Sequence, residues 1–456
     1  KLRLSYGTSG SDNISSNLWR ETWSSLGSGS NHTPINGELG SFYRPDGLLA
    51  NSKLKWETTI SRNFGIDFGF LNNRVNGSLE VYWNTTKDLL MAVPVDNTTG
   101  YSYQFQNFGK TSNRGIELSV NVDVINKGDF RFNVGAIYNY NRNKLDELPN
   151  ADQYLYSSYW GSSSLVPTND YMFVEGKAIG LVRGFISEGY YTVDDFNYTN
   201  GQYVLKEGVP DITKALTATY MHPYDLPAGQ TAFPGAAKFR DVDESGTVDL
   251  DDATCLGEVM PRHTGSFQLN FNYKNFDLST NFNWTAGGKV YNVAAMINAS
   301  GQEFDGIGAQ RASWVADAFK VYNVNAAGDL YAVTNPDELR ALNANAKYHL
   351  PYHQSGITSS EWLENGSYLR LQTLTLGYTL PKNWLTKVHV DKIRLYLTAT
   401  NLFTITGYSG IDPEVNANPT GQSGFYSDLR IFPTLNMDFG TYPRARTFTF
   451  GANITF

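Results

Sequence analysis

The chain has 456 residues, with 36 Lys and Arg against 44 Asp and Glu; its net charge of −8 argues against nucleic acid as a partner. It is 41% hydrophobic, yet it holds no run of about eighteen apolar residues, which excludes a transmembrane helix. A single cysteine, Cys255, excludes an intramolecular disulfide framework and any Cys-cluster metal site, and its surroundings mark it as inert. Aromatic residues make up 14%, which suits either the interfacial girdles of a membrane barrel or a large all-β core.

Taken in order, the segments read as strands. Lys1 opens directly on Leu2-Arg3-Leu4-Ser5-Tyr6, already alternating, with no signal peptide before it. This start reads as the C-terminal part of something longer. Ile60, Phe64, Ile66, Phe68 and Phe70 alternate with polar and small residues, turn at Asn72-Asn73, and are followed by Val75, Leu79, Val81 and Trp83. Ile116, Leu118, Val120, Val122 and Val124 lead through a turn at residues 126–129 to Phe130, Phe132, Val134, Ala136, Tyr138 and Tyr140. Phe267, Leu269, Phe271 and Tyr273 form a hairpin with Phe276, Leu278, Phe282 and Trp284. Leu369-Leu371 and Leu374-Leu376-Tyr378 differ in phase by one residue, predicting a β-bulge near Thr373. Ile393, Leu395, Leu397 and Ala399 make a further strand.

The tail is the clearest segment. Phe448, Phe450, Ala452, Ile454 and Phe456 alternate without error against Thr447, Thr449, Gly451, Asn453 and Thr455. A period of two means an extended strand whose faces meet different environments. Apolar side chains toward lipid and small polar ones toward a wet lumen are what a transmembrane β-barrel needs. Phe448, Phe450, Ile454 and Phe456 also form a candidate C-terminal barrel-assembly signal.

The connections alternate between tight turns and long polar loops at residues 8–53, 144–264, 289–367 and 405–444. Outer-membrane barrels have short periplasmic turns and long extracellular loops. Counting back from a last strand that descends to Phe456 places every tight turn on the periplasmic side. The fold class is therefore all-β, a transmembrane antiparallel β-barrel with about ten strands here, each near the length that crosses a membrane.

One local motif carries chemistry of its own. Asp241, Asp243, Ser245, Thr247, Asp249 and Asp252 occupy positions 1, 3, 5, 7, 9 and 12 of an EF-hand-type loop, with Gly246 at the sharp turn. Hard carboxylate, hydroxyl and carbonyl oxygens at this spacing suit Ca²⁺ in a structural role; a solvated acidic turn is the plainer alternative. Position 12 is Asp rather than Glu, which shortens bidentate reach. Tyr154, Tyr156, Tyr159 and Trp160 are candidate substrate-binding aromatics in the loop 144–264, though packing against a partner or a neighbouring loop is the weightier reading. His349 and His353 stand at i and i+4, but Pro351 between them argues against a helical metal pair. No nucleophile elbow, P-loop or dinucleotide fingerprint stands in its required context.

Six motifs in register carry a family resemblance. Leu54-Lys55-Trp56-Glu57-Thr58, Asn113-Arg114-Gly115-Ile116-Glu117-Leu118, Gly366-Ser367-Tyr368-Leu369-Arg370-Leu371, Thr400-Asn401-Leu402-Phe403, Gly410-Ile411-Asp412-Pro413-Glu414 and the ending 443–456 resemble the barrel of SusC-like TonB-dependent transporters. The resemblance implies a barrel of about 22 strands, of which residues 1–456 are the C-terminal part, the plug and first barrel half lying outside this sequence. It implies oligosaccharide or peptide import, a SusD-like surface lipoprotein as lid, energy from TonB through the plug, and no enzymatic activity. It leaves room for a dimer of transporter–lipoprotein pairs. Two other readings stand beside it. One is a passive porin-like barrel or scaffold without energy coupling. The other is an outer-membrane enzyme with a Ser-His pair on the wall, which the absence of His from the predicted strands disfavours.

Overall fold

A computed structural model describes the chain apart from residues 12–17, 22, 26–33, 36–37, 40–42, 46–47, 102, 149–152, 159–164, 218–221, 301–311, 351–355, 386–389 and 416–434. Ten long strands form one sheet: β1 (Leu2–Ser11), β2 (Glu57–Phe70), β3 (Val75–Lys87), β4 (Lys110–Lys127), β5 (Phe130–Glu147), β6 (His263–Tyr273), β7 (Phe276–Ala286), β8 (Tyr368–Thr379), β9 (Lys392–Thr406) and β10 (Thr447–Thr455). Each pairs antiparallel with the next in chain order, so the wall is an uninterrupted meander. Among the described residues, β1 pairs only with β2 and β10 only with β9.

The register extends the alternation across all ten strands. One apolar row runs Leu2, Ile66, Leu79, Leu118 and Tyr138. Another runs Phe132, Phe271, Leu278, Leu376, Leu397 and Phe450. Every apolar residue named for the tail lies on this same face, and Phe450 and Phe456 are 74% and 85% exposed. A face this apolar and this exposed is suited to lipid.

The opposite face is polar and internally bonded. Arg3 pairs with Asp67 at 2.8 Å and Glu80 at 2.6 Å, and Asn63 donates to Glu80 at 2.8 Å. Arg394 pairs with Asp277, Asn133 donates to Asn121 and Asp123, and Tyr82 donates to Asn141. Gly115 is required here: a Cβ would lie 2.4 Å from the Tyr140 carbonyl oxygen and from the Tyr82 ring. The predicted bulge is present, with Gln372 left between Leu371 and Thr373 in the pairing with β7.

The short connections are residues 71–74, 128–129, 274–275 and 380–391, all at one end. The five long ones, 12–56, 88–109, 148–262, 287–367 and 407–446, are at the other. The loop 88–109 was not among the four anticipated. Its strand Leu90–Pro94 pairs with Tyr103–Asn107, and residues 84–115 carry no clean period from which to read that hairpin.

Candidate functional site

The long loops fold together into a body standing on one end of the wall. One hydrophobic cluster joins Met91 and Phe108 of loop 88–109, Tyr171 and Val259 of loop 148–262, Met296 and Trp362 of loop 287–367, and Met437 of loop 407–446. A second joins Tyr191, Phe239 and Val248 to Phe319, Leu339 and Ile357. Parallel pairings stitch the loops across large sequence separations: Leu165–Val166 with Gly356–Ile357, and the strand Lys289–Asn292 with Met437–Asp438. The Tyr171 hydroxyl donates to the Leu435 carbonyl at 3.1 Å.

The recognised motifs turn out to be the joints between wall and loop body. The Glu57 carboxylate accepts from the Leu90 N–H at 2.8 Å, tying the start of β2 to loop 88–109. Arg370 on β8, 2% exposed, reaches Asp412 at 2.5 Å and Glu414 at 3.1 Å, and Arg444 reaches Glu414 at 2.7 Å. Three motifs, at 366–371, 410–414 and 443–456, thus meet as one charged cluster holding loop 407–446 to the wall. Asn401 adopts φ +51° and donates to the Ala445 carbonyl at 3.0 Å, beside the bulge.

The acidic loop lies on this body. Asp241, Asp243 and Asp252 bring carboxylate oxygens within 4.8 Å of one another. Gly246 takes φ +86° at the turn, its N–H donating to Asp241 at 2.7 Å. Ser245 donates its N–H to Asp243 at 3.0 Å, and this hydrogen bond holds the Asp243 carboxyl below the usual carboxylate range. Val248, fully buried, anchors the loop in the second cluster, and Thr247–Val248 pairs with Asp211–Ile212. Asp252 is buried and accepts from the N–H groups of Val242 and Asp249 at 2.6 and 2.8 Å. Three of the four predicted carboxylate ligands therefore converge, Asp249 standing apart. Asp249 accepts from the Asp251 N–H, and the Ser245 hydroxyl donates to the Thr247 carbonyl. The charge and hardness of the converging donors fit a divalent cation such as Ca²⁺.

The aromatic cluster is placed differently. Tyr156 is 5% exposed, its ring stacked on Tyr171 and Phe173 at 5.5 and 4.7 Å, which leaves no open face for a sugar. Tyr154 is half-buried, edge-on to Phe108 at 5.4 Å. Tyr159 and Trp160 lie outside the described residues. Burial pushes the neighbouring Asp170 carboxyl up to about 7, although Ser158 donates to it twice. His349 is buried against Trp314 with Nε2 3.7 Å from Glu361; burial lowers the imidazole to about 4 and raises the carboxyl to about 7. His353 lies outside the described residues. Cys255 is an exposed free thiol, its pKa raised by partial desolvation.

One expectation needs correction. The strands do contain a histidine: His263 opens β6 on the outward face, opposite Tyr140. The alternation of β6 begins at His263, four residues before its first apolar position, Phe267. Its Nδ1 meets the Tyr138 hydroxyl at 2.8 Å and its ring packs on Tyr140, an aromatic setting and not a Ser-His pair.

With this geometry in hand, the comparisons with known proteins agree. Residues 1–402 match the model of the TonB dependent receptor-like, beta-barrel family. TonB-dependent receptor P3 of Formosa agariphila is 30% identical over 457 residues, covering 100% of this chain and 39% of that protein. TonB-dependent receptor SusC of Bacteroides thetaiotaomicron is 26% identical, covering 100% of this chain and 37% of that protein. The structure of the RagAB peptide transporter superposes with a TM-score of 0.66 at 21% identity, covering 100% of this chain and 40% of that one. The chain thus spans about two fifths of the length of these relatives. It belongs to the TonB-dependent receptor-like β-barrel family and is a β-barrel protein of the bacterial outer membrane, in a family of receptors and transporters and not of enzymes.

Proposed function

We propose that this chain forms residues of the C-terminal barrel wall and the extracellular platform of a nutrient importer. The importer works with a SusD-like lipoprotein lid and takes up oligosaccharides or peptides with energy delivered through TonB. The observation that carries this reading is the loop body. Its hydrophobic clusters draw on four loops and are anchored to the wall by the Arg370 cluster, which gives a lid a stable surface to close upon. Below it, the wall's polar face is rich in Asn, Ser and Thr, and two of its lumenal arginines, Arg3 and Arg394, are matched by acids. A surface of amide and hydroxyl groups suits the passage of hydrophilic, uncharged or zwitterionic solutes. The resemblance of its motifs to SusC-like transporters makes oligosaccharides, and the printed name of the RagAB peptide transporter makes peptides, the first solutes to try.

Asp241, Asp243 and Asp252 serve in this reading as a structural calcium site that stiffens loop 148–262. The half-buried Tyr154 remains a candidate ligand contact, and the face of Phe448, Phe450, Ile454 and Phe456 an assembly signal. The test is uptake of labelled oligopeptides and oligosaccharides by cells expressing the native protein, with and without an uncoupler. Saturable uptake that stops with the uncoupler supports energised import. Uptake that is linear in concentration and indifferent to the uncoupler would mean a passive pore.

A further inference from the structure

The lipid-facing surface changes character toward its extracellular end. Across β1 to β5 a row runs Tyr6, Arg62, Trp83, Arg114 and Arg142. Tyr6 pairs with Arg62, Trp83 with Arg114 and Arg114 with Arg142, and the Arg62 guanidinium sits 5.8 Å from the centre of the Trp83 ring. The row beneath it is apolar and aromatic: Leu4, Phe64, Val81, Ile116 and Tyr140. A groove of about 570 Å³ opens between the rows, with Arg114, Arg142 and Trp83 above and Val81, Ile116 and Tyr140 below.

None of these three arginines makes an ion pair among the described residues. Arg62 makes only a long hydrogen bond, 3.4 Å, to the Thr85 hydroxyl. Asp146, the nearby acid on β5, is taken by Lys144 at 3.5 Å, and Glu117 falls on the lumenal face with Tyr82 by the alternation of β3 and β4. Like charges directly opposite each other across two strands repel. Arginine facing hydrocarbon is unfavourable except near the interface. Both penalties fall when one anionic group lies between the guanidinium groups. The forked donors of arginine match phosphate oxygens two at a time, and the apolar row below offers contact for an acyl chain.

We infer that this groove binds a phosphate-bearing lipid of the outer leaflet, its phosphate held between Arg114 and Arg142 and its chain descending over Ile116 and Val81. The inference uses the outer-membrane location and the orientation of the loops, and is independent of which nutrient is carried.

The test takes the intact transporter, purified from outer membranes in non-ionic detergent, and counts bound lipid by native mass spectrometry. Bis-phosphorylated lipid A is titrated against the same lipid with its phosphates removed. Wild type is expected to prefer the phosphorylated form at least about tenfold, the loss of one or two charge-assisted contacts. Arg114→Ala with Arg142→Ala is expected to abolish that preference while the heat-modifiable band on a gel persists, and the double lysine variant to keep part of it. The comparison of two lipids on wild type needs no variant, so misfolding of the alanine protein does not blunt the test. Equal binding of the two lipids overturns the proposal. So does inorganic phosphate that binds as tightly as the lipid, and so does a purified complex in which a second copy crosslinks through Arg142→Cys.

Discussion

The wall and the loop body solve the same folding problem in opposite ways. In the wall, strands adjacent in sequence are adjacent in space, the two faces are set by a period of two, and most apolar side chains remain at least partly exposed toward lipid. In the loop body, the stabilising contacts join residues far apart in the chain, and the large aromatic side chains Tyr171, Tyr191, Tyr203 and Tyr291 are wholly buried. The wall is built for a solvent that is itself apolar, whereas the body needs a core of its own because it stands in water. The loop body is thus held by a few specific joints to a wall that folds by local pairing.

The sharpest way to separate the two regions is to cut a joint. Arg370→Ala leaves Asp412 without its buried partner, an effect of about 3–5 kcal/mol. Loop 407–446 should become protease-sensitive while the wall keeps its heat-modifiability; limited proteolysis of wild type and variant reads this directly. Next in size, Leu118→Arg places a charge on the lipid face of the wall and should cost about 2–4 kcal/mol near the bilayer centre. Ser119→Arg, one residue on and facing the lumen, should be nearly neutral, as measured by urea unfolding from lipid vesicles. Equal effects would erase the distinction between the faces.

Calcium should act on the body alone. With Ca²⁺ a hundredfold above its dissociation constant, binding adds about 3 kcal/mol to the state that holds it. Chelation, or Asp241→Asn with Asp243→Asn, should lower the melting of the body and leave that of the wall unchanged. Unchanged melting in both would reject the site.

The smallest effect expected is of pH. Asp170 and Glu361 sit near 7 when folded against ordinary values of 3.8 and 4.5, so the folded chain binds the extra protons in that interval and stability falls as pH rises through it. His349, lowered to about 4 from 6.5, works in the opposite sense below 6.5, where the unfolded chain binds the extra proton. The body should therefore lose stability between pH 6.5 and 7.5, and Asp170→Asn should flatten part of that slope in a melting series.

The same contrast explains how much was legible in the sequence. Strand alternation, the bulge at Gln372 and the sidedness of the loops are local or follow from parity, and they could be read directly. The convergence of Asp241, Asp243 and Asp252 was legible because these carboxylates lie within twelve residues of one another. The body was not, because no period links Met91 to Met437 or Leu165 to Gly356. Tyr156 drew attention as a ligand aromatic, since composition does not distinguish a loop surface from the core of a folded loop. Arg62, Arg114 and Arg142 lie dozens of residues apart, and only the register of five strands brings them into one row.

The most direct measurement of the central claim is to purify the native protein from outer membranes without heating, determine its intact mass, and identify every chain that accompanies it. A polypeptide roughly two and a half times this length, as the 39% coverage of its relative suggests, bound one-to-one to a SusD-like lipoprotein through the loop body, is the predicted result. A barrel that purifies alone, with its loop body open to protease in the native membrane, would contradict it.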